Sequence, residues 1–189
     1  MEKVKAVITG VGGYVPEYIL TNEELARMVE TNDEWITTRV GIKERRILKE
    51  EGLGSSYLAR KAAKQLIQKT GVDPQTIDCV ICATTTSDYR FPSNASIVIG
   101  KLGLTNAHGF DVSCACCGFL YTVDMASTFI ESGRYKRVMV IAAEKMSSIV
   151  DYQDRQTCVL FGDGAAAVML EATTEEGVGF QDSFLRTNG

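Results

Sequence analysis

The chain has 189 residues, 20 basic and 24 acidic side chains, and a formal net charge of -4, with 45% hydrophobic and 23% charged residues. That mixture supplies a real core for one domain and excludes a compositionally disordered chain. A negative balance also excludes a general nucleic-acid binder, which needs a basic surface. The local basic spots, Lys43 with Arg45 and Arg46, and Arg134 with Lys136 and Arg137, read as solvated surface.

In chain order, "VKAVITG" (4–10) predicts a first strand, β-branched and bounded by glycines. Those glycines also break the apolar run near the N-terminus, which has no secretory-signal pattern. "TNEELARMVE" predicts a helix with a capping box from Thr21 to Glu24 and with Leu25, Met28 and Val29 on one face. A second box, Thr31 to Glu34, opens "NDEWITTR". Ser55 then caps a longer helix with the stripe Leu58, Ala59, Ala62, Ala63, Leu66 and Ile67, stopped by Gly71.

"CVICATTT" (79–86) predicts a buried strand, "SNASIVIGKLG" a helix, and "HGFDVS" a short strand leading into a run of cysteines. The next helix, about 117 to 132, is apolar on nearly every side: Phe119, Leu120, Val123, Met125, Ala126, Phe129 and Ile130. Such a helix belongs inside a protein, and one sheet would leave part of it bare. "RVMVIAAE" and "AAAVMLEA" predict two further core strands separated by "FGDG". The alternation of strands and helices implies an α/β fold with a mostly parallel sheet. No stretch is long and apolar enough to cross a membrane, so the expected location is cytoplasmic, with the six cysteines reduced.

Three of those cysteines, Cys114, Cys116 and Cys117, fall within four positions. A metal site would combine them with Cys79 and Cys82. However, that C-x-x-C lies in a β-branched run, where residues three apart point to opposite faces, and His108 is the single histidine. No metal is expected, and Cys79, Cys82 and Cys158 read as small core residues. Adjacent cysteines rarely meet disulfide geometry, which argues against a redox pair at Cys116 and Cys117. Two readings of Cys116 remain level on the residues alone. It is either a nucleophile, set where the N–H groups and dipole of a helix start favour a thiolate and an oxyanion, or a structural cysteine at a helix start.

The ordered blocks "ITGVGGYVP", "TNDEWITTRVGIKERRI", "TTTSDYRFPSNA", "FDVSCACCGF", "YQDRQTCVLFGDGAAAVML" and the terminal "TNG" resemble β-ketoacyl-[acyl-carrier-protein] synthase III, of the thiolase superfamily. The resemblance runs from Val7 to the C-terminus. It implies the N-terminal half of a thiolase-like fold, a mostly parallel mixed sheet layered with helices, over 1–172, with 173–189 beginning a connection to a missing C-terminal half. It also implies an enzyme that initiates type II fatty-acid synthesis by decarboxylative condensation of acyl-CoA with malonyl-acyl-carrier protein.

The family motif aligns the nucleophile with Cys116 and leaves Cys114 and Cys117 at variable small-residue positions. The resemblance also implies that Trp35 and Arg155 sandwich the CoA adenine, that Thr31 and Arg39 lie near the CoA entrance, and that Phe91 reaches a dimer partner's acyl pocket. Gly162, Asp163 and Gly164 would line the active-site floor. No cofactor is implied, since acyl-CoA is a substrate, and the expected assembly is a homodimer. The family's catalytic His and Asn lie in the second half; His108 precedes the nucleophile strand and is not that histidine. The competing expectations are a related acyl-condensing synthase of the superfamily (alkylquinolone-type or long-chain) and a non-catalytic acyl- or metal-binding protein.

Overall fold

The computed structural model describes residues 4–186; the terminal "TNG" block lies outside the described residues. The main sheet contains β1 (Lys5–Tyr14), β4 (Cys79–Ala83), β5 (His108–Val112), β6 (Arg137–Lys145) and β7 (Asp163–Thr173), in the order β1-β7-β6-β4-β5. β4 pairs parallel with β5 and β6, while β7 runs antiparallel to both of its neighbours, β1 and β6. Four strands therefore share one direction, which is the expected mostly parallel mixed sheet. A two-stranded antiparallel ribbon joins β2 (Tyr18–Thr21) to β3 (Glu44–Ile47). The helices are α1 (Asn22–Leu25), α2 (Asp33–Val40), α3 (Ser55–Thr70), α4 (Asn94–Leu102) and α5 (Gly118–Glu131).

The sheet divides two cores. On one face Val80, Cys82, Met139, Ile141 and Ala167 meet α3 and α4 through Ala59, Ala62, Ala63, Leu66, Ala95 and Val98. On the other, Cys79, Ile81, Val138, Val140 and Leu170 meet α5 through Val123, Ala126 and Ile130. Cys79 and Cys82 thus point to opposite faces, as a strand spacing of three requires. Burial raises both thiols, Cys79 to about 11 and Cys82 well above the usual range.

The first strand continues through its glycines rather than stopping at them. A Cβ at Gly12 would lie 2.3 Å from the Ala62 carbonyl oxygen and 2.6 Å from the Leu66 nitrogen. The glycine therefore lets β1 lie directly on α3. The helix expected over "TNEELARMVE" ends at Leu25, although Thr21 accepts from the Glu24 N–H as its capping box requires. The cap of α2 is Asn32, not Thr31: the Asn32 side chain accepts from the Trp35 N–H at 2.7 Å.

Ser55 lies inside α3 rather than capping it. The cap position is Gly54, which has no side chain, and the Asp88 carboxylate reaches in from the loop after β4 to accept from the Ser56 N–H at 3.0 Å. A Cβ at Gly54 would fall 2.2 Å from that carboxylate, so the glycine makes room for the borrowed cap.

Arg45 departs from the surface expectation. It is 3% exposed, and its guanidinium donates to the Val159 carbonyl at 3.0 Å and to the Asn22 side chain at 2.5 Å. It pins the segment before β7 to the β2–β3 ribbon, in a third small core around Leu20, Leu25, Ile36, Cys158 and Val159.

Candidate active site

The cysteine run sits at the C-terminal end of the parallel strands. β5 ends at Val112, residues Ala115–Cys117 make one 3₁₀ turn, and α5 begins at Gly118. Ala115 has φ 45°, the one positive φ outside glycine among the described residues, a conformation that costs an alanine on the order of 1 kcal/mol. That reversal leaves Cys116 exposed at the tip of the turn, with Cys114 half-buried and Cys117 exposed.

Gly118 sets how close the turn comes to the sheet. A Cβ there would be 3.0 Å from the Ala83 Cβ at the end of β4. No side chain caps α5 at Cys117, so the positive end of the helix dipole faces the turn that presents Cys116. The arrangement suits a thiol that takes up an acyl group, because the positive end of a helix dipole favours an oxyanion formed beside it.

Two acidic groups that sequence reasoning left without roles hold this end of the sheet. Asp111, in β5, accepts from the Asn94 and Ala95 N–H groups at 2.7 and 2.9 Å and so caps α4. Glu144, in β6, accepts from the Thr85 N–H at 2.7 Å and its hydroxyl at 3.0 Å, and from the Thr86 hydroxyl. The "TTT" run therefore closes the loop after β4 onto β6 instead of extending the strand. The aspartate of the "FDVS" stretch was a visible signal for the first of these; nothing local pointed to the second.

The other candidates form separate groups. Trp35 carries the Arg39 guanidinium 4.2 Å from its ring centroid and the Arg155 guanidinium at 4.9 Å, and Arg155 also donates to the Glu30 carbonyl at 3.1 Å. Thr31 adjoins them with its hydroxyl oxygen buried and unpartnered. Phe91 stands 86% exposed on the loop after β4. Asp163 is buried and accepts from the Leu48 N–H at 2.8 Å and from the Ser147 N–H and hydroxyl at 2.9 and 2.6 Å. Gly162 lies against the β3 backbone, where a Cβ would be 3.1 Å from the Arg46 carbonyl oxygen, while Gly164 has ordinary room.

The family model for 3-oxoacyl-[acyl-carrier-protein] synthase III matches residues 110–189, the segment that begins one residue before Asp111. Over all 189 residues the chain is 67% identical to β-ketoacyl-[acyl-carrier-protein] synthase III 2 of Bacteroides thetaiotaomicron and 67% identical to the synthase III of Phocaeicola vulgatus. The crystal structure of 3-oxoacyl-[acyl-carrier-protein] synthase III from Aquifex aeolicus superposes with a TM-score of 0.87 at 48% identity, over 90% of this chain and 55% of that one. The chain is similar along its whole length to part of these β-ketoacyl-[acyl-carrier-protein] synthase III proteins. It spans 56% of the length of each of the two curated relatives.

The structure brings Trp35, Arg39, Arg155 and Thr31 into one neighbourhood and sets Cys116 at a different one, on the α5 turn. The single histidine is occupied away from the turn. His108 begins β5, at the opposite end from Cys116, with Nδ1 3.1 Å from the Asp78 carbonyl oxygen and Nε2 3.3 Å from the Tyr135 hydroxyl. Among the described residues no group of three or more His, Cys, Asp or Glu side chains is arranged to hold a metal ion. No helix among them is long and apolar enough to cross a membrane.

Proposed function

We propose that this chain carries the acyl-accepting half of a synthase III active site, with Cys116 as the nucleophile. The observation that carries the reading is the exposed Cys116 at the uncapped start of α5, in a turn bent by Ala115. The sulfur of Cys116, as thiolate, attacks the thioester carbonyl of an acyl-CoA. The carbonyl electron pair moves to oxygen, and the positive end of the α5 dipole favours that charge. Collapse reforms the carbonyl and breaks the carbon–sulfur bond to CoA, which leaves as a thiolate and takes a proton from solvent. The product is an acyl-Cys116 thioester.

Trp35 and Arg155 are the proposed adenine clamp. The two now touch each other, so a base enters by displacing Arg155 from the indole and from the Glu30 carbonyl. Arg39 and Thr31 border that entrance. Phe91, bare on its loop, is the proposed contact across a homodimer. Gly162, Asp163 and Gly164 form the floor loop, and the bonds that Asp163 makes to Leu48 and Ser147 support a bracing rather than chemical part. The first domain runs over 1–172 and residues 173–189 lead onward; β7 ends at Thr173, and no later helix or strand is described. The reading carries a cytoplasmic location, acyl-CoA and malonyl-acyl-carrier protein as substrates, and no cofactor.

Condensation requires stabilisation of the carbanion left when malonyl-acyl-carrier protein loses CO2. The only histidine is held by Asp78 and Tyr135. We assign that step to groups outside these 189 residues. Incubated with acetyl-CoA and malonyl-acyl-carrier protein, the chain is expected to release CoA without forming 3-oxobutanoyl-acyl-carrier protein. Formation of that product at enzymatic rates by the chain alone would overturn the assignment.

A further inference from the structure

Within "CACC" lies a spacing that acyl transfer does not use: Cys114 and Cys117 are three apart, a C-x-x-C that encloses Cys116. The Cys117 N–H donates to the Cys114 carbonyl at 3.2 Å and closes a four-residue turn. A turn of that kind holds its first and fourth Cα atoms within about 7 Å, which overlaps the roughly 4.4–6.8 Å that a disulfide spans. The Cβ position of Gly118 lies 4.0 Å from the Cys114 Cβ, so the side chain of Cys114 rests against the first turn of α5, where Cys117 is the preceding residue. Cys116 and Cys117 are a poorer pair, because neighbouring Cα atoms stand about 3.8 Å apart, below the usual disulfide range.

Access separates these thiols from the rest. Cys79, Cys82 and Cys158 are fully buried, while Cys114 is half-buried and Cys117 exposed. Oxidation follows exposure and thiolate character, so a small oxidant reaches the turn and not the core.

We propose that Cys114 and Cys117 form a dithiol modification site, which a peroxide converts into an intrachain disulfide across the turn presenting Cys116. One thiolate attacks a peroxide oxygen; the O–O bond breaks, the sulfur becomes a sulfenic acid, and the departing oxide takes a proton to leave as water or an alcohol. The second sulfur then attacks the sulfenic sulfur, the S–O bond breaks, and the S–S bond forms as water leaves with the second thiol's proton. Two thiols and one peroxide thus give one disulfide and two molecules of water (or water and an alcohol). A small-molecule thiol reverses the change by exchange. The pair closes around Cys116 whether or not Cys116 is acylated, so the proposal stands apart from the catalytic reading.

The test oxidises the Cys116→Ser chain with hydrogen peroxide and maps its peptides without reduction. The expected result is a loss of two hydrogens per chain, located to a link between residues 114 and 117 and returned by dithiothreitol. The link disappears in the double variants Cys116→Ser/Cys114→Ser and Cys116→Ser/Cys117→Ser, while the wild-type chain forms the same link. Phenylarsine oxide, which bridges paired thiols, should protect both cysteines of Cys116→Ser from alkylation without any oxidation step. Sulfinic acids at unlinked cysteines, a wild-type link made mainly through Cys116, or crosslinks only between chains would each overturn the proposal.

Discussion

Trp35 holds the Arg39 guanidinium at 4.2 Å and that of Arg155 at 4.9 Å, and in the proposed clamp Arg155 gives way to a flat base that stacks on the indole. Stacking of a base on an aromatic ring contributes roughly 1–3 kcal/mol. Trp35→Ala is therefore expected to raise the half-saturating acetyl-CoA concentration for Cys116 acylation about tenfold at the lower half of that range, while the final extent of acylation stays unchanged. A rapid-quench acylation series over acetyl-CoA concentration measures both quantities, and loss of extent alone would point to misfolding instead. Cys79 supplies a second residue-level test. Burial lifts its thiol from 9.0 to about 11, so between those values the unfolded chain has lost a proton that the folded chain keeps. The contribution to stability is full below about pH 9 and is lost as pH rises toward 11, on the order of 2–3 kcal/mol. Urea unfolding across that window should show the fall, and Cys79→Ala should remove that share of it, leaving the part due to the other groups that burial raises, Cys82, Cys158, Tyr14 and Tyr152. At this scale the sequence was readable where a side chain's partners are local, as with Asn32 one position from the expected cap. It was not readable for Arg45, whose burial depends on Val159 more than a hundred residues away.

At the scale of elements, the stripe on α3 and the apolar runs of β4, β6 and β7 were legible because each buries one face or both, and that burial is written in residue spacing. The β2–β3 ribbon was not legible: "YILT" and "ERRI" are four residues each, the second mostly charged, and their pairing joins positions about 25 residues apart. The length of β1 was misread for a related reason. Its glycines look like strand ends in isolation, yet they exist because α3 lies on the strand. Gly12→Ala would press a methyl group into the Ala62 carbonyl and the Leu66 backbone, neither of which can rotate aside. The expected cost is about 3 kcal/mol, read as a lower urea midpoint with an unchanged slope. A variant as stable as the parent would show that β1 and α3 are not in register as described.

For the whole molecule, α5 is covered on one side only, as the sequence implied a single sheet would leave it. Val123, Ala126 and Ile130 are sealed against the sheet, while Leu120, on the side that a single sheet leaves bare, is 61% exposed. A single sheet covers a single side, and the sheet's own strands could not reveal what meets the other. The candidate site was legible to a similar degree. Cys116 could be singled out from "FDVSCACCGF", while the Ala115 reversal that exposes it, the Asp111 cap on α4 and the Glu144 brace are products of the folded chain.

The central claim is that, of three cysteines within four residues, only Cys116 takes the acyl group. Mass spectrometry of the chain after incubation with acetyl-CoA, with the modified peptide sequenced, tests it most directly. One hydroxylamine-labile acetyl group on Cys116, kept in Cys114→Ser and lost in Cys116→Ser, is the expected result. An acetyl group that persists in Cys116→Ser, or that resides on Cys114 or Cys117 in the parent chain, would contradict the account.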